Sequence, residues 1–291
     1  MQIINLEEGK LMDTENIKND NPGKDKYNIN SSKSFADKAE KVKVYKNKNG
    51  KDKINPKPAK LFNNDAILVT NGSIKDYSCI YRTLVKNFTS LGDTFVIAAD
   101  GGAFHCSNLR ISPNVIIGDM DSITKGMIEK LGGAGGGTGG MGGGTGEIEF
   151  ISFNQAKDES DTQLALDYLV KNGYERIIII GAFGSRADHS YANLSLLSSP
   201  AYDNVKASII TENSEIFVVK NSCGINGEIG KNISIFSLTP FTFFEKTSGL
   251  KYKLKNEKLL FSPARGLSNE FTKNAAKINI GEGWLLIVRE L

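Results

Sequence analysis

Four times the chain runs through three to five continuous apolar residues and then stops at once on Gly, Asn or Asp. The runs are Ala66-Ile67-Leu68-Val69, carried through Thr70 to Asn71-Gly72; Phe95-Val96-Ile97-Ala98-Ala99 before Asp100-Gly101-Gly102; Val115-Ile116-Ile117 before Gly118-Asp119; and Ile177-Ile178-Ile179-Ile180 before Gly181. Each is too short for a helix and lacks the alternation of a half-solvated strand, so each reads as a strand buried on both faces. Helical stretches fall between and after them: Tyr77–Phe88, Gln163–Val170 and Tyr191–Leu197. The second is capped by Ser160 or Asp158 and closed near Asn172-Gly173. Strand, Gly-bearing loop, helix and strand in alternation predict a parallel α/β sheet. Ligands of such sheets bind at the carboxyl ends of the strands, and Asn71, Asp100, Asp119 and Asp121 all fall there.

Two of those acids set the chemistry. In Gly118-Asp119-Met120-Asp121-Ser122 the carboxylates are spaced by two, which puts both on one side of an extended loop. Two bare carboxylates ~4 Å apart repel by roughly 4 kcal/mol at an effective dielectric of 20. A hard divalent cation relieves this, since Mg²⁺ combines one or two carboxylates with substrate phosphates; a polar, Asx-capped turn is the alternative. Asp158 and Asp161, three apart at a helix start, point the same way, against the plainer reading of acids complementing the helix dipole. The four isoleucines run straight into Gly181-Ala182-Phe183-Gly184-Ser185-Arg186-Ala187-Asp188-His189. A strand, a small-residue turn and a helix N-terminus offer backbone N–H groups to an anion, and Arg186 adds a bidentate phosphate donor. His189 reads as a capping or hydrogen-bonded residue rather than a general base.

The remainder of the chain is assigned by composition. Residues 1–60 hold 14 Lys and 9 acids, while the other 231 residues hold 22 Lys and Arg against 24 acids. The basic balance therefore belongs to the first 60 residues, which hold few large apolar side chains with no helical or strand period and are expected to be a disordered tail. The folded part shows no basic patch, so no nucleic-acid partner is expected. No stretch approaches the ~20 apolar residues of a membrane span, and three widely spaced cysteines fit a reduced, cytoplasmic protein. Gly132–Gly146 reads as a low-complexity insert, because no strand leads into it and no helix with Lys-Ser/Thr leads out. From about Pro200, closely punctuated β-like runs (Val205–Thr211, Ser214–Val219, Ile233–Leu238, Leu250–Leu254, Leu259–Phe261, Ala276–Ile280, Trp284–Val288) predict an antiparallel β-sandwich. Two domains are therefore expected, an α/β catalytic domain at 61–199 and a β-sandwich at 200–291. Trp284, the sole tryptophan, is a core residue or a platform for a substrate ring.

Together these pieces resemble the thiamine pyrophosphokinase family. The matching motifs are Ala99-Asp100-Gly101-Gly102-Ala103, Gly118-Asp119-Met120-Asp121-Ser122-Ile123, Lys157-Asp158-Glu159-Ser160-Asp161 and the Gly181–His189 turn with Asn193 beyond. Gly249-Leu250-Lys251-Tyr252 and Gly266-Leu267-Ser268-Asn269-Glu270 look like the family's second-domain motifs. The resemblance implies an α/β domain followed by a β-sandwich, a homodimer with pockets between subunits, and Mg²⁺-dependent pyrophosphoryl transfer from ATP to thiamine. By motif position, Asp100, Asp119, Asp121 and Asp161 handle metal and phosphates, and Asp119, Asp121 and Asp161 are the expected catalytic acids. The proton of the thiamine hydroxyl goes to Asp121 or Asp161. Asn71, Asp100, Gly101, Gly181, Gly184, Arg186, Asp188 and His189 form the expected nucleotide site. Asp158 supports them, Ser268 and Asn269 meet the thiamine, and Trp284 is the candidate ring platform, although it does not align cleanly with the late tryptophan of animal and fungal members. Ser185 and Ser160 stand where the family usually has Gly and Thr. A metal-dependent phosphoester hydrolase and a non-catalytic nucleotide-binding module are the competing readings.

Overall fold

The computed structural model describes residues 64–119, 126, 131, 148–153 and 157–291, together with the backbone of 41–45. Asp121, the Gly-rich insert and the rest of residues 1–60 lie outside the described residues. Within the expected tail, Lys41–Tyr45 (β1) is an edge strand, a departure from disorder that the alternation Lys-Val-Lys-Val-Tyr explains.

The four apolar runs are strands: β2 Asp65–Val69, β3 Phe95–Ala99, β4 Val115–Gly118 and, after β5 (Ile148–Ser152), β6 Arg176–Ile180. Ile177 to Ile180 are each 2 % exposed or less, and full burial stabilises each side chain by about 1.5–3 kcal/mol. The helices are α1 Tyr77–Asn87, α2 Gly102–Leu109, α3 Asp161–Lys171 and α4 Ala187–Leu196. Strands β5, β4, β3, β2 and β6 stand side by side in that order, all parallel. The order reverses at β2: β3 lies on one side and β6 on the other. α1 and α2 cover the face carrying Ile67, Val69, Ile178 and Ile180, whereas α3 and α4 cover the face carrying Leu68, Ile97, Ile177 and Ile179. The chain therefore leaves β2 and β6 toward opposite faces, and the crevice of a topological switch point opens between them.

The run Val205–Thr211, expected in the sandwich, instead supplies β7 (Lys206–Ile210), which pairs parallel with β6. Ile209 and Ile210 are both buried, as a strand covered on two faces requires. A tight turn through Thr211–Ser214 then starts the antiparallel part. β8 (Ser214–Val219), β15 (Leu285–Glu290), β10 (Asn232–Ser237) and β13 (Asn269–Glu270) continue the same sheet without a break, to eleven strands. A second sheet, in the order β12 (Lys255–Leu260), β11 (Phe241–Ser248), β14 (Ala275–Glu282) and β9 (Cys223–Asn226), packs against that extension. Phe244, Phe271, Ile233, Ile235, Ile278 and Ile287 fill the space between the two sheets. The expected strand Leu250–Leu254 is absent; Leu250 makes a single bridge to Phe271 and the chain turns before β12. Among the described residues no helix is long and apolar enough to cross a membrane.

Candidate active site

The site is built where three strand-end loops are laced together. Beyond β2 and β6 the sheet hydrogen bonds continue into the loops: Thr70 N–H donates to Ile180 O at 2.9 Å, Gly72 N–H to Gly181 O at 2.6 Å and Ser73 N–H to Phe183 O at 2.6 Å. The Thr70 hydroxyl donates to Gly181 O at 2.6 Å as well. Such close approach excludes side chains. A Cβ on Gly72 would stand 2.2 Å from Gly181 O, and one on Gly181, whose φ is +67°, would stand 2.4 Å from Thr70 O. The third loop joins through Gly101, where a Cβ would meet the Asn71 side chain at 2.4 Å. The expected nucleotide residues Asn71, Gly101 and Gly181 thus converge at the crevice.

Asp100 and Asp119 stand at the carboxyl ends of adjacent parallel strands. Asp100 N–H donates to Ile117 O at 2.7 Å, and a Cβ on Gly118 would lie 3.2 Å from the Asp100 Cα. Asp100 adopts a left-handed φ of +46°, a conformation costly for a residue with a side chain and often kept at functional sites. Asp121 lies outside the described residues. Asp161 opens α3 and is already held by Lys157 Nζ at 2.6 Å, itself lodged near the Phe153 ring. Among the described residues no set of three His, Cys, Asp or Glu side chains is gathered closely enough to hold a metal ion. Asp158 sits in the loop just ahead of Ser160, which caps α3 by accepting from Gln163 N–H.

On the β6 side, α4 starts at Ala187, four residues before the expected Tyr191. Asp188 and His189 therefore occupy its first turn. Arg186 grips Asp188 through Nε at 3.2 Å and an Nη at 2.5 Å, and this pair holds the Asp188 carboxyl down at about 2. Both side chains are 65 % exposed, so an incoming phosphate can take the guanidinium. Gly184 packs on Gly72, and its N–H donates to the Ser190 hydroxyl. Asn193, buried, donates to Ala182 O at 2.8 Å and fixes the turn from below.

The substrate-side residues divide. Asn269 is buried, accepts from the N–H groups of Tyr252 and Glu270, and donates to Tyr252 O at 2.8 Å. It staples the two second-domain motifs together. Ser268 is exposed at the tip, with φ +56° and its N–H on the Ser234 hydroxyl. Trp284 is placed elsewhere, past the opposite end of β10 where its backbone meets Leu238, Thr239 and Thr242. Lys220 Nζ covers its ring at 3.8 Å from the centroid.

Sequence reasoning missed His105. It lies buried on α2 with Nε2 at 2.6 Å from Gly72 O and Nδ1 at 2.8 Å from the Tyr77 hydroxyl. One signal was available: a histidine five residues after Asp100, on the apolar face of a helix.

Two families match the chain in succession: thiamin pyrophosphokinase, catalytic domain, over residues 90–209, and thiamin pyrophosphokinase, vitamin B1 binding domain, over residues 220–285. A curated thiamine pyrophosphokinase of Bacillus subtilis is 27 % identical over 216 residues, 72 % of this chain and 94 % of that protein. The crystal structure of thiamine pyrophosphokinase from Bacillus subtilis superposes with a TM-score of 0.62 at 24 % identity, covering 78 % of this chain and 98 % of that one. A thiamin pyrophosphokinase family protein from Enterococcus faecalis gives 0.60 at 22 % identity, over 78 % and 99 %. These last two likenesses concern the fold.

Proposed function

The chain belongs to the thiamin pyrophosphokinase family, and from that premise we infer that its switch-point crevice carries magnesium-dependent transfer of a pyrophosphoryl group from ATP to the hydroxyl of thiamine. The products are thiamine diphosphate and AMP. The observation that supports the crevice as the reaction centre is the meeting of Asp100 and Asp119 on adjacent strand ends with the Gly181–Arg186 turn across it.

The donor set fits magnesium. Asp100 and Asp119 are hard oxygen ligands, and a Mg²⁺ site commonly takes one or two carboxylates and completes itself with substrate phosphates; Asp121, two residues on, is the expected third. The cation, when bound, offsets the triphosphate charge. Arg186 exchanges Asp188 for phosphate oxygens at the N-terminal end of α4, where backbone N–H groups favour an anion. The thiamine hydroxyl oxygen forms a bond to the β-phosphorus, and the bond from that phosphorus to the oxygen bridging the α-phosphate breaks, releasing AMP. The hydroxyl proton goes to Asp121 or Asp161, the latter engaged by the Lys157 ammonium until Lys157 turns to the phosphates.

The thiamine side comes from a second copy of the chain. Within one subunit, the strand bearing Asn269 stands seven places from β3 in the large sheet. At ~4.8 Å per strand that is roughly 34 Å along the sheet, too far for one small substrate to touch both motifs. Exposed Tyr252 and Leu267 flank the Ser268 loop, while exposed Phe104 and Tyr191 flank the crevice. Two-fold association buries both sets at once. Three free thiols, Cys79, Cys106 and Cys223, support a cytoplasmic setting.

The test is AMP release from ATP and Mg²⁺ with and without thiamine. AMP that appears only with thiamine, in step with thiamine diphosphate, is the expected result. Release of AMP or phosphate independent of thiamine makes the protein a hydrolase; binding without turnover makes it a nucleotide-binding module.

A further inference from the structure

We propose that His105 is a positioning residue for the nucleotide, locking the three strand-end loops at the spacing that ATP requires. The inference rests on the crevice being the ATP site.

Its geometry fixes its proton. The Gly72 carbonyl can only accept, so His105 Nε2, at 2.6 Å, carries the hydrogen. Nδ1 is then the bare nitrogen and accepts from the Tyr77 hydroxyl at 2.8 Å, which itself accepts from Asn108 Nδ2 at 3.2 Å. The chain of donors runs in one direction, from Asn108 through Tyr77 and His105 to Gly72. Burial lowers the pKa of His105 below its ordinary value, keeping the ring in this neutral form.

The ring's neighbours give it a role beyond filling space. His105 rides on α2, five residues after Asp100. Its carbonyl partner belongs to the loop after β2, and its Cδ2 lies 3.5 Å from the place a Cβ on Gly181 would occupy, in the loop after β6. One imidazole therefore touches or carries all three segments that bring Asn71, Asp100 and Arg186 to the crevice. The Gly72 N–H already serves Gly181 O, so with the His105 bond both backbone groups of Gly72 are fixed. Loss of the Nε2 donor strands the Gly72 carbonyl and removes the tie between the helix that follows Asp100 and the loop after β2.

The test compares His105→Asn, which cannot reach Gly72 O, with His105→Gln, whose amide N–H stands near the position of Nε2, and with Tyr77→Phe. Binding of α,β-methylene-ATP with Mg²⁺ is measured by calorimetry, and KM is measured separately for ATP and thiamine. The expected result is an about tenfold weaker nucleotide affinity and higher KM for ATP in His105→Asn. The KM for thiamine stays unchanged, and His105→Gln recovers most of the loss. Long-range ¹H–¹⁵N spectra should show the Nε2–H tautomer in the wild-type protein and in Tyr77→Phe alike, because the Gly72 carbonyl holds that hydrogen in both. Equal damage in the Asn and Gln variants with both KM values moving together overturns the proposal, as does nucleotide binding untouched by either. Wild-type protein that binds the ATP analogue but makes no thiamine-dependent AMP removes the kinase reading and leaves the relay to be judged on affinity alone. Wild-type protein that binds no nucleotide overturns both.

Discussion

Gly181 has little freedom to vary. Its left-handed φ and the 2.4 Å that would separate a Cβ from Thr70 O mean that Gly181→Ala must both strain the backbone and push the loop after β2 away. The expected cost is on the order of 3 kcal/mol, read as a lower urea midpoint, with nucleotide binding lost in the molecules that still fold. His105 adds a pH dependence of definite sign. Its pKa is lowered in the folded protein and returns toward 6.5 in the unfolded chain. Above that value both states are neutral and stability is complete. As pH falls through 6.5 the unfolded chain binds a proton that the folded chain refuses, so stability declines until the folded pKa is reached. A melting temperature that drops between pH 7 and 5.5, and drops less in His105→Gln, is the expected outcome.

Among the elements, the motifs act as pairs. Asn269 spends its side-chain amide on the backbone of Tyr252, so the motif at 266–270 and the motif at 249–252 are one structural unit. Asn269→Ala leaves the half-buried Tyr252 N–H and C=O and the Glu270 N–H without this partner and should cost about 1 kcal/mol. Chemical denaturation measures that cost, and the KM for thiamine should rise because the Ser268 tip loses its footing. The buried strands were legible because a both-faces-covered strand writes its burial into consecutive residues, as Ile177–Ile180 do. The helix caps at Ser160 and Asn172 were legible for a similarly local reason. The membership of β7 was not: Val205–Thr211 looks the same whether its neighbour runs parallel or antiparallel, and only pairing with β6 decides it. The His105 relay and the Lys220 cover on Trp284 join residues 28 to 64 positions apart, and local pattern carries no trace of either. Asp161 was legible as an acid at a helix start, but the grip of Lys157 on it was not.

At the scale of the whole molecule, the acids and the Ser268 tip belong to distant strands of one sheet, which makes a composite site testable by mixing. Asp119→Asn and Ser268→Arg should each be nearly inactive alone. Unfolded and refolded together in equal amounts, they should regain about a quarter of wild-type activity, since half the dimers are mixed and each of those holds one intact site. No recovery on mixing, with mixed dimers demonstrated, would return the whole reaction to a single subunit. The unbroken run of hydrogen bonds from β6 through β7 and β8 into β15 and β10 also bears on inheritance. A gene cut between the nucleotide half and the vitamin half would leave each fragment with a raw, adhesive strand edge. Made as separate chains, the two halves should therefore cling to each other or clump rather than persist as soluble, independent pieces.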